Sequence, residues 1–146
     1  MDLILWRHAE AEEGSPDSAR KLTERGRDEA RRVAAWLKPR LPESCEVLVS
    51  PAARAQQTAQ ALGGAFVTSP AVGTDAFTAD VIAAIGWPAD SGVKLVVGHQ
   101  PTLGRVAALL ISGAEADWDI GKGALWWLSR TNGRIALRAV VDPELF

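Results

Sequence analysis

The sequence predicts an α/β fold built on one mostly parallel sheet, with an antiparallel β-hairpin added at its C-terminal end. Three observations predict it. Short apolar runs at residues 3–6 and 94–97 read as strands buried on both faces, 46–49 reads as another short apolar strand, and all three alternate with segments of helical periodicity. Those segments are bounded by capping hydroxyls, prolines and glycines at the positions where helices start and stop. The last segment breaks the alternation: residues 124–129 and 134–141 flank Thr131-Asn132-Gly133, and Asn-Gly is the strongest short hairpin signal.

In chain order, residues 2–6 form the first strand and a polar stretch over residues 9–21 a long loop. Thr23 caps a helix that carries Ala30, Val33, Ala34 and Leu37 on one face and stops at Pro39 and Pro42. Residues 46–49 form the second strand. Ser50-Pro51 then reads as a cap followed by proline at the first helical position, opening a helix with Ala55, Ala59 and Leu62 inward that ends at Gly63-Gly64. A short strand falls within residues 65–68. Thr78 caps a helix carrying Val81, Ile82 and Ile85, closed by Gly86 and Pro88. Residues 94–97 form another buried strand, and Pro101 opens a helix with Leu103, Val106, Ala107, Leu110 and Ile111 inward, ended by Gly113. Trp126 and Trp127 are adjacent in a strand and therefore point to opposite faces.

The 146 residues make one domain, 1–146, with ordinary globular proportions of 47% hydrophobic and 23% charged residues. A net charge of −2 argues against a nucleic-acid partner, which needs a basic face. The apolar run at residues 3–6 is too short for a signal h-region or a membrane span. The single cysteine, Cys45, forms no intramolecular disulfide and suits a reducing, cytoplasmic setting. Cys45 lies near neither histidine in sequence, so a metal-free site is expected, although two histidines and a carboxylate leave a metal open on paper.

The chain's only two histidines end two of the buried runs: His8 follows Arg7 after the first, and His99 follows Gly98 after a later one. In open parallel sheets, ligands bind outside the carboxyl ends of the strands. A third strand end leads into Ser50-Pro51-Ala52-Ala53-Arg54, which puts Arg54 in the first turn of a helix. Two guanidiniums, two imidazoles and two helix N-termini brought to one edge describe a phosphate site. A neutral imidazole attacks phosphorus, and nearby arginines disfavour a second positive charge on it. Lone histidines after strands are usually structural, and it is the company of Arg7 and the 50–58 segment that assigns chemistry to these two.

Arg7-His8, Arg54 within Ser-Pro-Ala-Ala-Arg-Ala-Gln-Gln-Thr, and Gly98-His99 resemble the histidine phosphatase superfamily, whose fold is the phosphoglycerate-mutase-like three-layer sandwich. The small size, Leu22-Thr23-Glu24-Arg25-Gly26 and Arg54-Ala55-Gln56-Gln57-Thr58 resemble its compact SixA-type phosphohistidine phosphatase branch. The resemblance implies a phosphatase acting on phosphohistidine in proteins, with His8 as the phosphorylated nucleophile and Arg7, Arg54 and His99 holding the phosphoryl group. It implies no cofactor and a monomer. Arg20 is a further substrate-contact candidate, or else a partner of loop carboxylates.

Two departures stand out. Ala9 replaces the glycine usual after the Arg-His pair, which would cost about 1 kcal/mol if that position needed a positive φ. Other branches place a carboxylate as proton donor to the leaving oxygen, and here only Asp75 or Asp80 lies in the corresponding stretch. A phosphorus–nitrogen bond needs less help, which favours phosphohistidine over alkyl phosphates. A small-molecule phosphomonoesterase and a non-catalytic phosphate-binding module remain the alternative readings. Glu10, Glu12, Glu13 and Asp17 either form a solvated loop or a rim that repels small polyanions.

Overall fold

The sheet forms because β1 has two apolar faces. In the computed structural model, which describes residues 1–88 and 91–146, β1 (Asp2–Arg7) sends Ile4 and Trp6 to one side and Leu3 and Leu5 to the other, all fully buried. The first side packs with α1 (Glu24–Leu37) and α2 (Ala53–Gln60) through Val33, Leu37, Ala55 and Ala59. The second packs with α3 (Thr78–Ile85) and α4 (Thr102–Ser112) through Val81, Ile85, Leu103 and Val106. The result is the expected three-layer sandwich.

With β2 (Glu46–Val49), β3 (Val67–Thr68), β4 (Val93–Gly98), β5 (Leu125–Thr131) and β6 (Arg134–Val141), the strand order is β3-β2-β4-β1-β5-β6. The first four strands of that order run parallel, and β5 and β6 add antiparallel. Asn132 (φ 52°) and Gly133 (φ 75°) close the hairpin with both turn residues left-handed, as a primed turn requires. Trp127 packs into the core under α1, and Trp126 packs on the opposite face against Trp118. Among the described residues no helix is long and apolar enough to cross a membrane.

Several boundaries differ from expectation, each for a local reason. Thr23 caps α1 as expected, its Oγ1 accepting from the Gly26 N–H at 2.9 Å. Helix α2 starts at Ala53 rather than Pro51, without a side-chain cap, because the Ser50 hydroxyl bonds to His99. Phe77, not Thr78, holds the N-cap position of α3, and the Asp80 carboxylate accepts from the Phe77 N–H at 2.8 Å. Pro101 sits at the N-cap position of α4 rather than inside it, and the third strand shrinks to Val67–Thr68. Ala9 carries no conformational cost: among the described residues Asn132 is the one non-glycine at positive φ, and Ala9 is buried against Leu22 and Ala30.

Gly26 has a demanding position. A Cβ there would lie 2.1 Å from the Glu10 carbonyl oxygen, in the loop that leaves His8. Gly26→Ala therefore has to push α1 away from that loop, at about 1–3 kcal/mol, or roughly 3–10 °C of Tm. Thermal unfolding of the variant measures this, and an unchanged Tm would show that the loop yields freely.

Candidate active site

The sheet delivers the site. Arg7 pairs opposite Gly98 in the β1–β4 register, and the His8 N–H continues the ladder to the Gly98 carbonyl at 3.0 Å. The next residue after each of these two is a histidine, so the two imidazoles meet with centroids 5.1 Å apart. The neighbouring strand contributes too, because the Ser50 N–H bonds to the Val97 carbonyl at 3.1 Å and α2 then raises Arg54 beside them. Arg7, His8, Arg54 and His99 line one cavity of about 280 Å³, together with Arg20, Asp17, Glu13, Ala11, Thr74, Gln100 and Lys122.

The 54–58 segment is structural glue as well as a source of charge. Thr58 Oγ1 donates to the Arg54 carbonyl (2.8 Å) and accepts from the Ala9 N–H (3.0 Å), tying the helix that carries Arg54 to the residue after His8. Gln56 Nε2 donates to the Ser50 carbonyl at 2.8 Å, and Gln57 Oε1 accepts from the Leu22 N–H at 2.7 Å.

Both histidines are neutral in a defined tautomer. His8 Nδ1 lies 2.8 Å from the Ala9 carbonyl, which only accepts, so Nδ1 carries the proton and Nε2 keeps its lone pair. Burial pushes the His8 pKa down to about 3, with His99, Arg54 and Arg7 adding to the effect against the Ala9 bond. His99 falls to about 4, mainly through burial and then Arg54. Ser50 settles the second tautomer. Its fully buried Oγ accepts from the Ala52 N–H (3.2 Å) and lies 2.7 Å from His99 Nε2, the one acceptor its own proton has among the described residues. His99 then carries its proton on Nδ1.

That Nδ1 is buried and has no protein partner, and neither do Arg7 Nε and Arg54 Nε. Three buried donors left unpaired on three residues of one cavity match the oxygens of a tetrahedral anion. Arg7 is fixed by Nη1 donating to the Ile120 carbonyl at 2.9 Å. Arg54 spends Nη1 and Nη2 on the Asp17 carbonyl (2.8 Å) and carboxylate (3.0 Å). Asp17 also accepts from Arg20 Nη1 at 3.1 Å, and these bonds hold its carboxyl below the usual range.

The structure brings together His8, Arg7, Arg54, His99 and Arg20, all singled out from sequence. Arg20 lines the cavity and pairs with Asp17, the second of the two roles expected for it. Asp80 is committed to the α3 cap, and Asp75 lines an adjoining groove rather than the cavity itself. Of the acidic loop, Asp17 and Glu13 face the cavity, while the Glu10 carboxylate accepts from Thr23. Sequence reasoning missed Ser50 as a site residue, because the same Ser-Pro pair is a helix-start signal. It also missed Lys122, which lies between α4 and β5 in no motif.

The histidine phosphatase superfamily (branch 1) family model matches residues 3–77. The phosphohistidine phosphatase SixA of Escherichia coli (strain K12) is 44% identical over 64 residues, 43% of this chain and 40% of that protein's length. An uncharacterized Mycobacterium tuberculosis (strain H37Rv) protein, Rv1276c, is 37% identical over 119 residues, covering 75% of this chain and 73% of its own. Among solved structures, the protein histidine phosphatase SixA complexed with tungstate superposes with a TM-score of 0.86 at 28% identity, over 99% of each chain.

Two measurements check this geometry. A histidine held neutral in the fold and free to protonate when unfolded adds stability above pH 6.5 that is lost as pH falls toward its folded pKa. With values of about 3 and 4, His8 and His99 each cost about 2 kcal/mol by pH 5. Stability should therefore drop between pH 7 and 5, and His8→Asn should remove about half of that slope. An unaltered slope would place the proton uptake elsewhere. Ser50→Ala frees the His99 tautomer and should weaken inorganic phosphate binding about tenfold, the worth of one good hydrogen bond. Calorimetric titration with phosphate reads it, and an unchanged Kd would remove Ser50 from the site.

Proposed function

The chain belongs to the histidine phosphatase superfamily, branch 1, and from that membership we propose that it is a phosphatase that hydrolyses phosphohistidine in proteins through a covalent intermediate on His8, without metal or cofactor. The observation that carries the proposal is the set of unpaired buried donors, Arg7 Nε, Arg54 Nε and His99 Nδ1, gathered around a histidine whose Nε2 lone pair is free.

A phosphoryl group bound to those donors lies against His8 Nε2, which attacks phosphorus while the substrate's own ring leaves. The equatorial oxygens gain charge in the transition state, and the guanidiniums of Arg7 and Arg54 and the ring of His99, which line the cavity, stabilise it. His8 becomes an imidazolium with Nδ1–H still on the Ala9 carbonyl. Water then attacks phosphorus, and the ring leaves as the neutral Nδ1–H tautomer from which it began. The SixA relatives support phosphohistidine as the substrate, and tungstate, carried by one SixA structure, is a tetrahedral oxyanion like phosphate. An exposed Phe77 ring, 76% accessible beyond the Thr74–Asp75 rim, supports a protein as its carrier.

Phosphate release from a phosphohistidine-bearing carrier protein, measured with EDTA present, tests the reading. Wild type should release phosphate and form an acid-labile phosphoenzyme. His8→Ala should do neither, and Arg54→Ala should be slower by on the order of 10³. Turnover by His8→Ala would rule out the covalent route. Wild-type turnover confined to small phosphate esters would move the substrate to the phosphomonoesterase reading.

A further inference from the structure

A second groove adjoins the phosphate cavity. Its volume is about 230 Å³, and it is lined by Ser18, Ser50, Pro51, Ala52, Pro70, Gly73, Thr74 and Asp75. Thr74 lines both spaces, Ser50 is bonded to His99, and Ser18 follows Asp17 in the chain, so the groove opens directly off the cradle. Its walls are Pro51, Ala52 and Pro70. A side chain at Gly73 would meet the Pro70 carbonyl at 3.1 Å and the Pro51 ring at 3.6 Å, so the glycine keeps the floor open. Asp75 is the groove's single charged side chain, exposed and, among the described residues, without an ion pair.

This lining suits one kind of leaving group. A phosphoglycerate brings a carboxylate, and the groove has no cationic side chain to receive it. A flat ring with one N–H fits better, its faces against proline and its N–H on a carboxylate. We propose that this groove is the leaving-group subsite, that it takes the imidazole ring of a protein's phosphohistidine, and that Asp75 accepts a hydrogen bond from the ring nitrogen that does not carry phosphorus. The inference rests on the reading of the site as a phosphohistidine phosphatase.

The chemistry balances without an added acid. The substrate ring enters as an imidazolium, phosphorus on one nitrogen and a proton on the other. As His8 Nε2 forms its bond to phosphorus, the old phosphorus–nitrogen bond breaks and its electron pair stays on the departing nitrogen. The ring leaves neutral, still holding its distal proton, and His8 becomes the same kind of imidazolium. The Ala9 carbonyl does for the distal N–H of His8 what Asp75 does for that of the substrate. Asp75 thus needs no proton of its own, and it acts from the far side of the ring rather than at the breaking bond. The other groove residues are not titratable, and Asp17, next to Ser18 in the chain, is itself held by Arg20 and Arg54.

The test compares a phosphohistidine peptide with p-nitrophenyl phosphate, whose leaving group has no ring N–H, for wild type and Asp75→Asn. Asp75→Asn should lower kcat/KM for the peptide roughly 10- to 100-fold relative to the ester, the range of a charged hydrogen bond. The alkaline limb of the peptide's pH profile should also move to lower pH, because the ring loses its distal proton more readily without the carboxylate. Turnover of the ester reports that the variant is folded. Equal losses on both substrates, or an unmoved alkaline limb, overturn the role of Asp75 while leaving the phosphohistidine reading intact. A wild-type enzyme inactive on the peptide but active on the ester overturns both.

Discussion

Two parallel strands paired so that Arg7 lies opposite Gly98 set the spacing on which the rest of the site depends. The register is secured from both faces of the sheet, since Leu3 and Leu5 pack under α3 and α4 while Ile4 and Trp6 pack under α1 and α2. A slip by one residue would turn each of these side chains to the wrong layer. The imidazole pair is therefore held by burial of four large side chains rather than by any bond between the histidines. Catalytic groups placed at the ends of core strands inherit the rigidity of the core.

That rigidity works against a standing electrostatic cost. Burial next to guanidiniums is what keeps both histidines neutral, and three donors of the cavity have no protein partner. Each unpaired buried donor costs about 1–3 kcal/mol, and the surrounding packing has to absorb it. The apolar residues buried on the four helices and the Thr58 bridge between α2 and the Ala9 peptide are the compensation visible in the fold.

The sequence was legible where one periodicity dominates. Runs buried on both faces revealed the strands that carry His8 and His99, and the hairpin followed from Asn132-Gly133. Legibility failed where one residue type serves two purposes. Ser50-Pro51 reads as a helix start, yet the serine hydroxyl is drawn to His99 and the helix begins at Ala53. Asp80 and Asp75 look alike in sequence, but a tertiary turn commits one to the Phe77 N–H and leaves the other on a groove wall. Lys122 reaches the cavity only because β5 pairs with β1, a long-range fact that no local pattern carries.

The acidic loop shows how far local reading goes. Four carboxylates within residues 10–17 suggest a uniform negative rim, but the fold gives them separate tasks. The Glu10 carboxylate accepts from the hydroxyl of Thr23, the residue that caps α1, and Asp17 is the ion-pair partner of Arg54, whose side chain is only 6% exposed. Asp17 takes one N–H each of Nη1 and Nη2 of Arg54, and the buried Nε–H has no protein partner. Arg54 is oriented by its own counter-ion, so the acidic residue that pairs with it also fixes where its guanidinium lies in the cavity.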